Sequence, residues 1–101
     1  MERTEDRDRP MAVPTRQLET DRAIVTMWRF APGAHTGWHR HGHDYVVVPT
    51  TSGSLAIWNG TVLVEAAMTA GASYCRAAGV EHDVINPGPG EFAFVEIEFK
   101  P

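Results

Sequence analysis

The stretch "PGAHTGWHRHGHDYVVV", Pro32–Val48, carries four of the chain's five histidines and runs straight into Tyr45 and three valines. His39, His41 and His43 fall at every second position. In an extended strand, residues i and i+2 share a face, so His39 and His41 point the same way. Two imidazoles placed like this can converge on one ion at bond lengths of about 2.0–2.1 Å. A third ligand must come from elsewhere, and the histidine far downstream is His82, in "AGVEHDVIN". A β domain that set this segment beside the first would bring His82 to the pair. Taken singly, an H-x-H pair is as often a solvated strand face, and a lone histidine is more often structural. Together, with glycine turns around each, they point to a metal site.

Working outward, the rest of the chain reads as short strands. "AIVTMWRF" (Ala23–Phe30) is rich in β-branched and aromatic residues. "DYVVVP", "SLAIW", "TVLVEA", "SYCR" and the segment around His82 follow, and "FAFVEIEF" closes the series with two-fold alternation. Asn59–Gly60 between apolar runs is a strong hairpin marker. "EAAMTAGA" has helix-forming residues, but it is short and Gly71 ends it. Seven or eight strands with turns every 8–12 residues predict an all-β sandwich or barrel. Residues 1–16 are polar, charged and proline-bearing, and are read as a mobile arm, with 17–101 as one domain.

A chain of 101 residues with 43% hydrophobic content has room for a modest core. Its net charge is -4, and it shows no basic stripe, so no nucleic-acid partner is expected. No apolar run reaches the ~18 residues of a membrane span. "MERTEDRDRP" is too polar for a secretory signal, and the one cysteine, Cys75, leaves no internal disulfide framework. A cytoplasmic location is expected. The Trp-bearing strand Ala23–Phe30 is expected to be an edge buried in a homodimer.

Both histidine segments resemble the two motifs of the cupins, small jelly-roll β-barrels that carry metal in the barrel mouth. In the first, Gly33 is followed by five residues, then His39-Arg40-His41, three residues, Tyr45, and Gly53 one position late. In the second, Gly71 is followed by "ASYCR", "AAG", two residues, His82, three residues and Asn86. The wording around these motifs is also similar to a subgroup of small bacterial cupins labelled as β-alanine degradation proteins. The resemblance implies a cupin-type jelly-roll β-barrel over about Ala23–Phe99, with His39, His41 and His82 as metal ligands and Asn86 as a structural residue. It also implies turns at Gly33, Gly37, Gly53, Gly71 and Gly79.

The departure from the family pattern is Tyr45, which stands where the usual fourth ligand is a glutamate. A phenol with a pKa near 10 is a poor ligand unless the metal ionises it. Tyr45 is therefore expected beside a three-histidine site as a catalytic proton donor. Three-histidine cupin centres resemble those of dioxygenases. The cofactor expected is one divalent transition metal ion, Fe2+ first, with Zn2+, Ni2+ or Mn2+ as alternatives. The expected function is a metal-dependent, dioxygenase-like enzyme acting on a small polar organic molecule. The alternatives are a non-catalytic metal and metabolite binder, or a non-oxidative lyase or isomerase.

Among the other residues, His43 is placed in a turn and His35 on the surface. Cys75 is read as a small buried hydrophobe, and the tryptophans as filler, with Trp38 a possible pocket wall. Glu96 becomes a candidate proton acceptor if its face of the last strand turns inward.

Overall fold

The computed structural model describes residues 8–101. Nine strands follow in chain order: β1 Val13–Glu19, β2 Ala23–Phe30, β3 His39–Arg40, β4 Asp44–Pro49, β5 Gly53–Trp58, β6 Leu63–Met68, β7 Tyr74–Arg76, β8 Glu81–Ile85 and β9 Phe92–Phe99. They form two antiparallel sheets with strand orders β1-β2-β9-β4-β7 and β3-β8-β5-β6. This two-sheet arrangement is the jelly roll expected.

Alternation decides which side chains face inward. In β9, Phe92, Phe94 and Glu96 are buried, and in β4 so are Tyr45, Val47 and Pro49. These strands pair in register, with Val47 opposite Glu96 on one side and Tyr74 on the other. Thr26 of β2 continues that row beyond Glu96. A single row thus runs Thr26–Glu96–Val47–Tyr74 across four strands, and the next holds Glu98, Tyr45 and Arg76. The core packs Phe30, Leu55, Phe92, Phe94 and Val84 between the sheets. The rings of Phe30 and Phe94 lie 5.5 Å apart. Burying such side chains contributes about 1.5–3 kcal/mol each.

Asn86 ties the ends of three segments together. Its Nδ2 donates to the carbonyls of Phe30 (3.1 Å) and Gly90 (2.8 Å), and its Oδ1 accepts the Gly88 N–H (3.0 Å). The hairpin at Asn59–Gly60 is present, but as a four-residue loop. Asn59 Oδ1 accepts both the Thr61 and Val62 N–H groups at 2.9 Å, so β6 starts at Leu63.

Two expectations are corrected. The mobile arm does not extend to residue 16. Residues 1–7 lie outside the described residues, but Met11 bridges to His35, Ala12 is buried, and Val13–Glu19 pairs with β2. Backbone hydrogen bonds hold this strand, so it needs no apolar face. As a result, β2 lies inside its sheet between β1 and β9, and β1 takes the edge position on that side, with β7 at the opposite edge.

Candidate metal centre

Two short strands deliver the histidines. His39 of β3 stands directly opposite His82 of β8. His41 lies one residue beyond β3, held by its N–H to the Val80 carbonyl (2.9 Å) and its carbonyl to the Gly79 N–H (2.8 Å). The Nε2 of His41 sits 2.9 Å from that of His39 and 3.0 Å from that of His82. All three ligand nitrogens fall within 4.8 Å of one another.

The tautomer of His39 follows from its neighbours. Its Nδ1 lies 2.8 Å from the Gly37 carbonyl, which can only accept, so Nδ1 carries the proton and Nε2 presents a lone pair. Gly37 adopts φ +81°, a region that favours glycine, and this turn aims its carbonyl at the imidazole. The Gly37 N–H donates to Asp83 Oδ1 (3.1 Å), and Asp83 Oδ2 also accepts from His35 Nδ1 (2.9 Å). An orientation chain thus runs His35–Asp83–Gly37–His39. Thr36 Oγ1 adds a 3.2 Å contact to His39 Nδ1.

The donor set fits a metal ion. The two pairs that His41 makes, with nitrogens 2.9 and 3.0 Å apart and bonds of about 2.0–2.1 Å, each subtend roughly a right angle at a shared ion. Lone pairs meeting this closely repel unless a proton or cation lies between them. Protons are disfavoured: burial first, and then His39, lower the His41 pKa to about 4. His82 falls to about 3 through burial, His39, His41 and Arg76, in that order. Neutral imidazole is the form a metal requires.

The triad opens on a cavity of about 340 Å³. Its wall is apolar along Leu55, Ile57, Val64, Ala66 and Met68, and polar at Tyr45, Tyr74, Arg76 and Glu96. Tyr45 stacks on His41, with ring centroids 3.8 Å apart and planes 17° from parallel. Burial first, then Tyr74 and Glu96, raise the Tyr45 pKa to about 12, against a smaller opposing effect of Arg76. Burial, reinforced by Glu98, pushes the Glu96 carboxyl up to about 7. The Trp28 indole draws it back somewhat, although Trp28 Nε1 closes no hydrogen bond of good geometry.

A cupin-domain family model matches residues 26–98. The chain belongs to the cupin family. Among curated proteins, this cupin is 56% identical over 92 residues to the β-alanine degradation protein BauB of Pseudomonas aeruginosa, covering 91% of this chain and 97% of that protein. It is 54% identical to a crystallised cupin domain from Bordetella pertussis Tohama I, with a TM-score of 0.91 over 93% of this chain and 98% of that one. A cupin superfamily protein from Desulfitobacterium hafniense shares the fold at 14% identity and TM-score 0.71, covering 92% and 81% of the two chains.

Most residues named from sequence take up the expected positions in the cupin. His39, His41 and His82 come together, and Tyr45 joins them. The face of β9 bearing Glu96 does turn inward. His43 stays outside the triad, its Nδ1 lying 3.4 Å from Glu98 Oε2. Trp28, rather than Trp38, contributes to the cavity wall. Two readings are corrected. His35 is buried against Asp83 because its imidazole has a carboxylate to satisfy it. Cys75 is exposed, on the face of β7 opposite the one from which Tyr74 and Arg76 line the cavity. Nothing in the sequence alone marks Arg76 and Tyr74 as cavity residues. Their shared parity in "SYCR" was visible, but which face turned inward depended on pairing with β4.

Proposed function

We propose that this cupin is a metal-dependent enzyme that acts on a small organic molecule, with dioxygenase-like oxidative cleavage as its chemistry. The observation that carries the reading is three neutral imidazoles converging at the wall of a cavity that also holds groups able to handle a proton. His39, His41 and His82 would hold one divalent transition ion, Fe2+ first. Once bound, such an ion would supply Lewis-acid polarisation or O₂ activation.

The chain's own groups divide the remaining work. With its pKa near 12, the Tyr45 hydroxyl keeps its proton at neutral pH and serves as a hydrogen-bond donor. With its pKa near 7, Glu96 can take a proton at one stage and return it at another. The apolar wall excludes water around the carbon skeleton. BauB is named for β-alanine degradation, which favours short carbon compounds as substrates here. We also read the protein as a homodimer, joined through the exposed edge strand β1.

The test is oxygen consumption by the Fe2+-loaded protein across a panel of small acids, alcohols and amines. Turnover with O₂ uptake supports the reading. Anaerobic turnover with Zn2+ or Ni2+ would instead show a lyase or isomerase. Ligand-induced stabilisation without turnover would show a metabolite binder.

A further inference from the structure

Arg76 is the one permanent cation that lines the cavity, and it makes no ion pair with a carboxylate among the described residues. Its guanidinium carbon lies 4.7 Å from the Tyr74 ring centroid, and its Nη1 donates to the Cys75 carbonyl at 2.9 Å. These contacts orient the group while consuming one of its five N–H donors. It stands opposite Tyr45 in the β4–β7 register and lines the same cavity as the three histidines. An oriented cation therefore faces the open space beside the triad.

We infer that Arg76 holds the carboxylate of the substrate, which is a short-chain organic acid. The word "substrate" rests on the proposed function, but the anion site itself does not. Arginine's planar fork matches a carboxylate in two parallel hydrogen bonds. The cavity is near the small end of the ~300–1,000 Å³ range of ligand sites, and its aliphatic side at Leu55, Ile57 and Val64 suits a few methylene groups. One guanidinium with Glu96 in the same cavity suits a monoanion better than a phosphate, whose second charge would go unpaired.

The experiment measures binding of propanoate and butanoate, their amides, and inorganic phosphate by calorimetry. The proteins are full-length wild type, Arg76→Gln and Arg76→Lys, each metal-loaded and chelator-stripped. Arg76 is exposed, so the variants should fold, and metal content per chain should stay unchanged. Carboxylates should bind wild type more tightly than amides. Arg76→Gln should weaken them by roughly 10–100-fold, as expected for losing a charge-assisted contact. Arg76→Lys should recover part of that loss, and amide binding should not change. The same dependence on Arg76 in stripped protein would show an anion site separate from the ion. Carboxylate affinity within about twofold of wild type in Arg76→Gln, or phosphate binding at least as tightly as butanoate, would overturn the inference. So would carboxylate binding lost only on stripping, which assigns the carboxylate to the ion. Arg76-dependent binding with no turnover under any metal supports the anion site while sinking the enzymatic reading.

Discussion

His39 and His82 face each other across the β3–β8 ladder, forty-three residues apart in sequence and opposite in register. Neither strand alone makes a site. His41 lies between them in space, with its Nε2 within 3.0 Å of both. His41→Ala should therefore remove the nitrogen common to both close contacts. Metal affinity should fall by more than the ~10–100-fold typical of disturbing a ligand's supporting hydrogen bonds. Metal analysis of the purified variant checks this, with circular dichroism to confirm the fold. An unchanged metal-to-protein ratio would refute the site.

Tyr45 lies flat against His41. Tyr45→Phe keeps the ring and loses the hydroxyl. It should retain metal and fold while lowering turnover on the true substrate by roughly 10²–10⁴-fold, the range for losing acid–base assistance. Metal titration and steady-state kinetics on one preparation separate the two effects. Loss of metal on this change would instead make the phenol a ligand.

Glu96 gives a pH signature of unusual sign. Its pKa in the fold, about 7, exceeds the ordinary 4.5, so between these values the folded state binds more protons than the unfolded chain. Its contribution to stability is fully present below pH about 4.5 and is lost as pH rises through about 7. The loss is on the order of 3 kcal/mol. His41 and His82, lowered by burial, tilt stability the other way over part of this window. The comparison is therefore wild type against Glu96→Gln. Urea midpoints from pH 4 to 8 should converge at the acid end, with the variant more stable at the alkaline end. Parallel curves would show that Glu96 is not so buried.

The His35–Asp83 pair is almost wholly enclosed, each side chain being less than 5% exposed. Asp83→Ala leaves His35 and the Gly37 N–H without their acceptor. It should cost about 3–5 kcal/mol, as for other broken buried pairs, read from urea unfolding. Because Gly37 orients His39, metal affinity should weaken as well. A loss under 1 kcal/mol would show that water replaces the carboxylate there.

Val13 and Leu18 of the edge strand β1 are 57% and 50% exposed, and Met11 just before it is 60% exposed. A free edge bearing apolar side chains is a template for another chain. Sedimentation should find a dimer in wild type and a monomer in Val13→Lys/Leu18→Glu. A wild-type monomer at tens of micromolar would remove the homodimer from the reading.

The legibility of this fold follows burial. Strands β4 and β9 are legible through side chains that alternate between core and surface over much of their length, and β2 through its β-branched and aromatic content. β1, "VPTRQLE", is exposed at every position, so no alternation is printed on it and backbone pairing alone makes it a strand. The ligands were readable because metal chemistry restricts residue type and spacing locally. His35 was misread because its partner Asp83 lies 48 residues away. Arg76 and Glu96 needed to know which face of their strands turned inward, and only the pairing of β4 with β7 and β9 settles that.

One wall of the cavity belongs to β6, which has a single neighbour, β5. Val64, Ala66 and Met68 on that strand bound the space in which a ligand's carbon skeleton would lie, while the imidazoles come from β3, the residue after it and β8. Capacity and reactivity are thus written on separate strands. Enlarging Ala66 would shorten the acceptable chain without moving a ligand nitrogen, and trimming Met68 would lengthen it. The molecule a cupin of this build accepts can therefore drift through substitutions on one outer strand while the histidines and their supporting turns stay as they are.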